Sequence, residues 1–263
     1  MKSLAGLRIG VTAARKAEEQ IGMLERRGAR VLRAPSVEYV RLDADPALRS
    51  ATDRVLGLTA PTVVITTGMG LRGWLEAAGE WGLRAELTEL LGSARILVRG
   101  PKAAGAVREI GLRERYTPES ETDAELLAYL LAEGVDGAEI VLQSHGEPLP
   151  ALTDPLRAAG ARVTELLPYR WQVPEDTAPM RDLFELACSG ELDAVTFTSA
   201  PAAQALIQVC GPAELAAALR GVLVACVGPV TAKPLLDRGI ELAMPSRART
   251  AALVNLVTEE LGH

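Results

Sequence analysis

Five short segments of this chain carry hydroxyl, glycine and basic residues where an apolar run or loop passes into a helix. They are Thr66-Thr67-Gly68, Arg99-Gly100-Pro101, Thr122, Thr198-Ser199 and Gly228-Pro229. Such points expose unpaired backbone N–H groups at the positive end of a helix dipole, which is chemistry for holding anions. Neutral donors spread over several turns suit a flexible polyanion. Two basic groups sit beside similar points: Arg15-Lys16 after the run 9–12, and Arg247-Ala248-Arg249 before Thr250. A cation at a helix start opposes the dipole, and that cost favours an anion-binding role over an idle solvated pair. His145, in the loop 143–148 after another apolar run, could donate to an anionic ligand or help move a proton. The plain alternative is a solvated loop histidine.

Other chemistries are less well supported. Gly68-x-Gly70-x-x-Gly73 has the dinucleotide-binding spacing, but that reading needs an acidic residue at the end of the next strand. The next apolar run instead ends Val98-Arg99-Gly100, and the matching segment Ser199-Ala200-Pro201-Ala202 lacks the glycines. A nucleotide-dependent enzyme using Gly68, Gly70 and Gly73 is therefore a remote alternative. The remaining readings are a tight strand-to-helix turn or one that binds another anion. His145 and His263 lie far apart, as do Cys188, Cys210 and Cys226, so no metal-ligand spacing is present. No metal or organic cofactor is expected. No Ser–His–Asp arrangement can be read from residue order.

The elements that would position these residues alternate. Strand-like apolar runs occupy residues 7–12, 31–34, 62–67, 95–99, 139–143, 163–167, 194–198, 222–227 and 240–243. Most are continuous, the pattern of parallel strands covered on both faces. Helical segments lie between them, including 17–27, 123–133, 202–209 and 251–261, so the expected class is α/β with doubly wound parallel sheets. Thr122-Asp123-Ala124-Glu125 has capping-box spacing. Gly28, Gly111, Gly160 and Gly239 follow helical runs, as C-terminal caps do.

The chain also repeats itself. Gly28-Ala29-Arg30-Val31 returns at Gly160–Val163 and Ile65-Thr66-Thr67 at Phe197-Thr198-Ser199, both 132 residues on. Gly100-Pro101 and Thr122 return at Gly228-Pro229 and Thr250, 128 residues on. That is a duplicated half, too long for a solenoid period. Two similar halves facing each other would leave a cleft, a common place for ligands. Prolines 35, 168, 174 and 179 punctuate two corresponding stretches, 37–41 and 169–173, which read as paired extended linkers able to act as hinges.

Bulk properties bound the function. The 263 residues suit two domains, and 48% hydrophobic content suffices for two cores, filled mainly by aliphatic side chains because aromatics are 3%. The net charge of −6 argues against nucleic acid as a partner. The first residues lack a signal-peptide core, no apolar run nears the roughly 20 residues of a bilayer span, and the odd, scattered cysteines suit a reducing compartment. The expectation is a cytoplasmic protein without a membrane partner, acting as a monomer.

The ordered set 9–12, Ile65-Thr66-Thr67, Arg99-Gly100-Pro101, Leu167-Pro168-Tyr169-Arg170, Phe197-Thr198-Ser199 and Val227-Gly228-Pro229-Val230-Thr231-Ala232 resembles the uroporphyrinogen-III synthase family over essentially the whole chain. The resemblance implies two similar sheet domains of flavodoxin-like order. One would be discontinuous, 1–36 plus 174–263, and the other would hold 42–168. It implies a hydro-lyase that closes linear hydroxymethylbilane to uroporphyrinogen III, inverting the last pyrrole ring with loss of water. The substrate bears acetate and propionate groups on every ring, which matches a polyanion cleft. Tyr169 is then the candidate proton donor to the departing hydroxyl, against the alternative that it only packs in the linker, and Thr231 joins it as a catalytic candidate. Arg15, Thr66, Thr67, Gly68, Arg99, Gly100, Lys102, Thr122, His145, Gly146, Thr198, Ser199, Gly228 and Thr250 become candidate substrate-binding residues. Two features depart from the commoner pattern: Gly100-Pro101-Lys102-Ala103 lacks a hydroxyl, and Ser144-His145-Gly146 lacks the basic residue often found before the glycine. They resemble a branch with regulator-fused members, so a non-catalytic tetrapyrrole sensor is the alternative from another class.

Overall fold

The computed structural model describes residues 2–15 and 17–263. Lys16, paired with Arg15 above, lies outside them. In chain order the elements are β1 (Arg8–Val11), α1 (Ala17–Glu25), β2 (Arg30–Arg33), β3 (Glu38–Arg41), α2 (Pro46–Leu56), β4 (Thr62–Ile65), α3 (Gly68–Glu80), α4 (Arg84–Ser93), β5 (Arg95–Val98), α5 (Pro101–Glu109) and α6 (Asp123–Glu133). They continue with β6 (Glu139–Gln143), α7 (Pro150–Ala158), β7 (Arg162–Leu166), β8 (Tyr169–Gln172), α8 (Ala178–Cys188), β9 (Ala194–Phe197), α9 (Ala200–Cys210), α10 (Pro212–Ala218), β10 (Leu223–Cys226), α11 (Pro229–Leu236) and α12 (Thr250–Leu261).

The chain divides into two compact units, Met1–Tyr39 with Trp171–His263, and Val40–Arg170. The continuous unit holds a sheet of order β5-β4-β6-β7, every pair parallel. The discontinuous unit holds β10-β9-β1-β2, again all parallel. β3 and β8 pair as a separate two-stranded ribbon. Central strands such as Thr62–Ile65 and Ala194–Phe197 are buried almost throughout, because helices cover both sheet faces. In the continuous unit one face packs Val63, Ile65 and Val98 with Trp74 and Leu87. The other packs Val64, Leu97 and Leu142 with Leu126 and Leu156.

The duplication is visible in the sheets, and each unit mixes the two copies. The repeat carries β1, β2, β4 and β5 onto β6, β7, β9 and β10. Each unit therefore takes two strands from one copy and two from the other. Gly28 and Gly160, equivalent in the repeat, both hold φ near +90° (93° and 91°) after helical turns, as their reading as caps requires.

Three local expectations are corrected. Residues 240–243 do not form a strand: only Ala243 pairs, as an isolated bridge to Ala225, because Ile240 turns into the core and Pro245 follows closely. Tyr116 makes the matching single bridge to Leu97 in the other unit, so both sheets stop at four full strands. Arg15 precedes α1 in a bend instead of opening the helix. Arg249, not Thr250, occupies the cap position of α12 and makes no capping bond, since its side chain carries no acceptor oxygen.

Candidate functional site

The C-terminal edge of the continuous unit's sheet gathers ten of the expected residues. Thr66 ends the β4 strand by donating its hydroxyl to the Gln143 carbonyl, 2.7 Å away. Thr67 caps α3, its Oγ1 accepting the Gly70 N–H at 3.1 Å. The same Oγ1 lies 3.4 Å from the Tyr169 hydroxyl, and either group can donate. Tyr169 opens β8 and is 1% exposed, so its phenol faces protein and not bulk solvent.

The glycine motif serves this packing. A Cβ on Gly68 would stand 2.2 Å from the Lys102 carbonyl oxygen of α5. A Cβ on Gly70 would stand 1.9 Å from the Gln143 side-chain nitrogen. The missing side chains let α5 and a buried glutamine approach, and that space is filled by protein. Gln143, not singled out from sequence, uses it to accept the Thr67 N–H on Oε1 at 3.2 Å while its Nε2 donates to the Ser144 carbonyl.

A second cluster stands on the neighbouring strand ends. Arg99, after β5, brings Nη1 to 3.2 Å from His145 Nε2 and 3.3 Å from Nδ1. Asp123, the first residue of α6, has Oδ2 3.7 Å from Arg99 Nη1 and 4.0 Å from His145 Nε2. Its Oδ1 is buried without a hydrogen-bond partner among the described residues. Burial is the main cause holding the His145 pKa below its usual value, the Arg99 charge adds to it, and Asp123 opposes both. A neutral imidazole can accept from a guanidinium, so the geometry and the shift agree. The loop is fixed by Glu165 of β7, which accepts from the Leu149 N–H at 2.7 Å and from the Ser144 hydroxyl. Gly146 at φ +87° makes the turn that aims His145.

Gly100 caps α5 through extended backbone, with Pro101 and Lys102 exposed on the first turn. Thr122 caps α6, accepting the Glu125 N–H at 3.3 Å. Glu125 departs from the expected capping box. It reaches past Thr122 to accept from the Ser120 hydroxyl and from the Ser120 and Glu119 amides, the amides at 2.8 and 3.1 Å, and these bonds, the hydroxyl's above all, hold its pKa down at about 2. Asp123 and Glu165 escaped sequence reading because nothing in their spacing marks them. Gln143 had one signal, the glycine at position 70 that makes room for it.

The other six expected residues lie in the discontinuous unit, at the equivalent sheet edge. Ser199 caps α9, accepting the Ala202 N–H at 3.4 Å, and Thr198 precedes it after β9. Gly228 caps α11, and Thr231 is buried one turn inside. Arg15 follows β1, and Thr250 starts α12. Among the described residues, no group of three or more His, Cys, Asp and Glu could hold a metal ion. No helix among them is long and apolar enough to cross a membrane.

The family model for uroporphyrinogen-III synthase HemD matches residues 18–255. The uncharacterized protein YjjA of Bacillus subtilis is 30% identical over 262 residues, covering 96% of this chain and 95% of that protein. A crystal structure of a mutant uroporphyrinogen III synthase from Thermus thermophilus superposes with a TM-score of 0.77 at 27% identity, covering 97% of this chain and 100% of that one. The wild-type Thermus thermophilus enzyme gives 0.64 at 30% identity, covering 97% and 98%. With its two four-stranded parallel sheets and duplicated order, the chain belongs to the uroporphyrinogen-III synthase family.

Proposed function

We propose that this protein is a hydro-lyase that cyclises hydroxymethylbilane to uroporphyrinogen III, needing no metal or organic cofactor. The observation that carries the reading is the Thr67–Tyr169 hydroxyl pair, 3.4 Å apart at a sheet edge furnished with helix N-termini. The bilane can lose its hydroxyl unaided and close to the uninverted isomer. The enzyme's task is to hold the chain so that the terminal carbon attacks the substituted position of the last ring. A spiro intermediate then fragments and recloses. Positioning and electrostatic support of cationic intermediates can supply most of that gain.

In this reading Tyr169 donates a proton to the departing hydroxyl. A phenol stays protonated at neutral pH and can serve as a general acid within hydrogen-bond reach. Thr67 takes the other side of the phenolic hydroxyl and fixes its direction. Arg99 offers a guanidinium to a substrate carboxylate, which displaces the 3.7 Å contact with Asp123. The amides at the starts of α3, α5 and α6 add neutral donors. At the equivalent sheet edge of the other unit, Thr198, Ser199, Gly228, Thr231 and Thr250 present groups of the same kind.

A second reading, a tetrapyrrole-binding sensor without efficient turnover, draws on Ala103. It stands in the repeat where Thr231 stands, and it is buried without a hydroxyl to offer. One experiment separates the two. Purified protein is incubated with freshly made hydroxymethylbilane, and the oxidised products are chromatographed. Type III isomer above the spontaneous background is expected. Binding with type I isomer alone would replace the lyase with the sensor.

A further inference from the structure

The continuous unit carries a crevice of about 370 Å³ at the opposite end of its sheet from the Thr67–Tyr169 pair. It is lined by Ser93, Ala94, Arg95, Arg113, Glu114 and Arg115. Arg95 opens β5 and Arg99 follows its end, so the crevice and the Arg99 cluster are separated by a four-residue strand, roughly 13 Å. The Arg95 guanidinium lies over the Tyr129 ring, 5.6 Å from its centroid, beside Glu133 Oε2 at 2.9 Å. Its Nε is buried without a hydrogen-bond partner among the described residues. The Glu114 carboxylate is taken up by Arg108. Arg113 and Arg115 are exposed and make no ion pair among the described residues.

The duplication supplies an internal control. The single bridges Leu97↔Tyr116 and Ala225↔Ala243 make residues 113–115 equivalent to residues 240–242. The discontinuous unit has the corresponding crevice, about 630 Å³, lined by Arg220, Leu223, Arg238, Ile240 and Glu241 among others, and the Arg238 guanidinium there is turned back onto the Pro234 carbonyl. There the places of Arg95, Arg113 and Arg115 are held by Leu223, Ile240 and Leu242, and Ile240 and Leu242 pack on the core. The fold is therefore satisfied by aliphatic side chains at these positions. Three arginines replacing them, in a chain of net charge −6, are not a requirement of packing.

We infer that this arginine-lined crevice is a second binding site, for a compact phosphate-bearing anion. A guanidinium fork matches phosphate oxygens, and three forks around one small crevice favour a multiply charged ligand over a monoanion. Tyr129 below and Glu133 beside Arg95 hold that fork in one orientation before the ligand arrives, which lowers the ordering cost of binding.

The test is calorimetric titration of the full chain with pyrophosphate, with a tricarboxylate as the comparison ligand. Saturable pyrophosphate binding is expected, weakened by added salt because Arg113 and Arg115 are exposed. The Arg113→Ala/Arg115→Ala variant should lose affinity at least about tenfold while forming type III isomer at the unaltered rate. Arg220→Ala, in the other crevice, should leave binding unchanged. Absence of saturable binding, or binding retained in the double variant, overturns the site. Tighter binding of the tricarboxylate than of pyrophosphate overturns the phosphate assignment.

Discussion

Gly70→Ala should destabilise the protein although it replaces a helical glycine. At an ordinary interior helix position the change gains about 1 kcal/mol. Here the new Cβ would meet Gln143 Nε2 at 1.9 Å, against ordinary contact from 3.4 Å, so the buried amide must swing away. That breaks the bond from the Thr67 N–H to Gln143 Oε1 and the donation from Nε2 to the Ser144 carbonyl. Leaving buried groups unpaired costs about 1–3 kcal/mol each. The net loss should be about 1–5 kcal/mol after the helix gain is subtracted. Replacing Gln143 by Ala removes the obstacle, and in that background Gly70→Ala should stabilise by up to about 1 kcal/mol. The measurement is denaturant unfolding of the wild type, both single variants and the double variant, which gives the coupling directly. The sign of the Gly70→Ala effect should reverse between backgrounds. An equal effect in both would refute the claim that this glycine exists to admit Gln143.

Tyr169→Phe keeps the ring and removes the hydroxyl, so packing should survive. If the hydroxyl protonates the leaving group, kcat for type III isomer should fall by roughly 10²–10⁴-fold with KM little changed. A loss confined to KM would make it a carboxylate ligand instead, and unchanged kinetics would remove it from the mechanism. His145→Gln should change the acid limb of stability. The native fold holds the His145 pKa below the unfolded value of 6.5, mainly by burial and then by Arg99, with Asp123 opposing. The unfolded chain thus binds the proton first, and this contribution is complete above pH 6.5 and lost as pH falls through the native pKa. The variant should gain on the wild type as pH drops below 6.5, and parallel stability curves would contradict the assignment.

Much of the architecture was legible because its signals are local. The continuous apolar runs at 62–67, 95–99 and 139–143 give β4, β5 and β6, the first two trimmed to their paired residues and the third unchanged. Thr67 and Ser199 cap helices as their places after strands suggest. Residues 240–243 misled because burial, not pairing, makes them apolar. The candidate site was only half legible. Hydroxyls and glycines at strand ends announce themselves. Asp123, Gln143 and Glu165 act through side chains that meet partners on other elements, 16 to 76 residues away, and no sequence period encodes such a meeting. The Gly68–Gly73 motif was visible, but its purpose was not, because the atoms it admits belong to α5 and β6.

The division of the repeat between the two sheets also orders events on the ribosome. β1 and β2 emerge early, yet the strand that flanks β1 on its other side, β9, begins at Ala194. At about 5–20 residues per second, synthesis of the stretch between them takes roughly 10–30 s. In that time residues Val40–Arg170 can close their own sheet, so the middle of the chain finishes before its beginning. The N-terminal pair must meanwhile wait with the Ile9–Val11 edge open. Such an edge is a template for wrong pairing, and that interval is when the nascent chain most needs a chaperone.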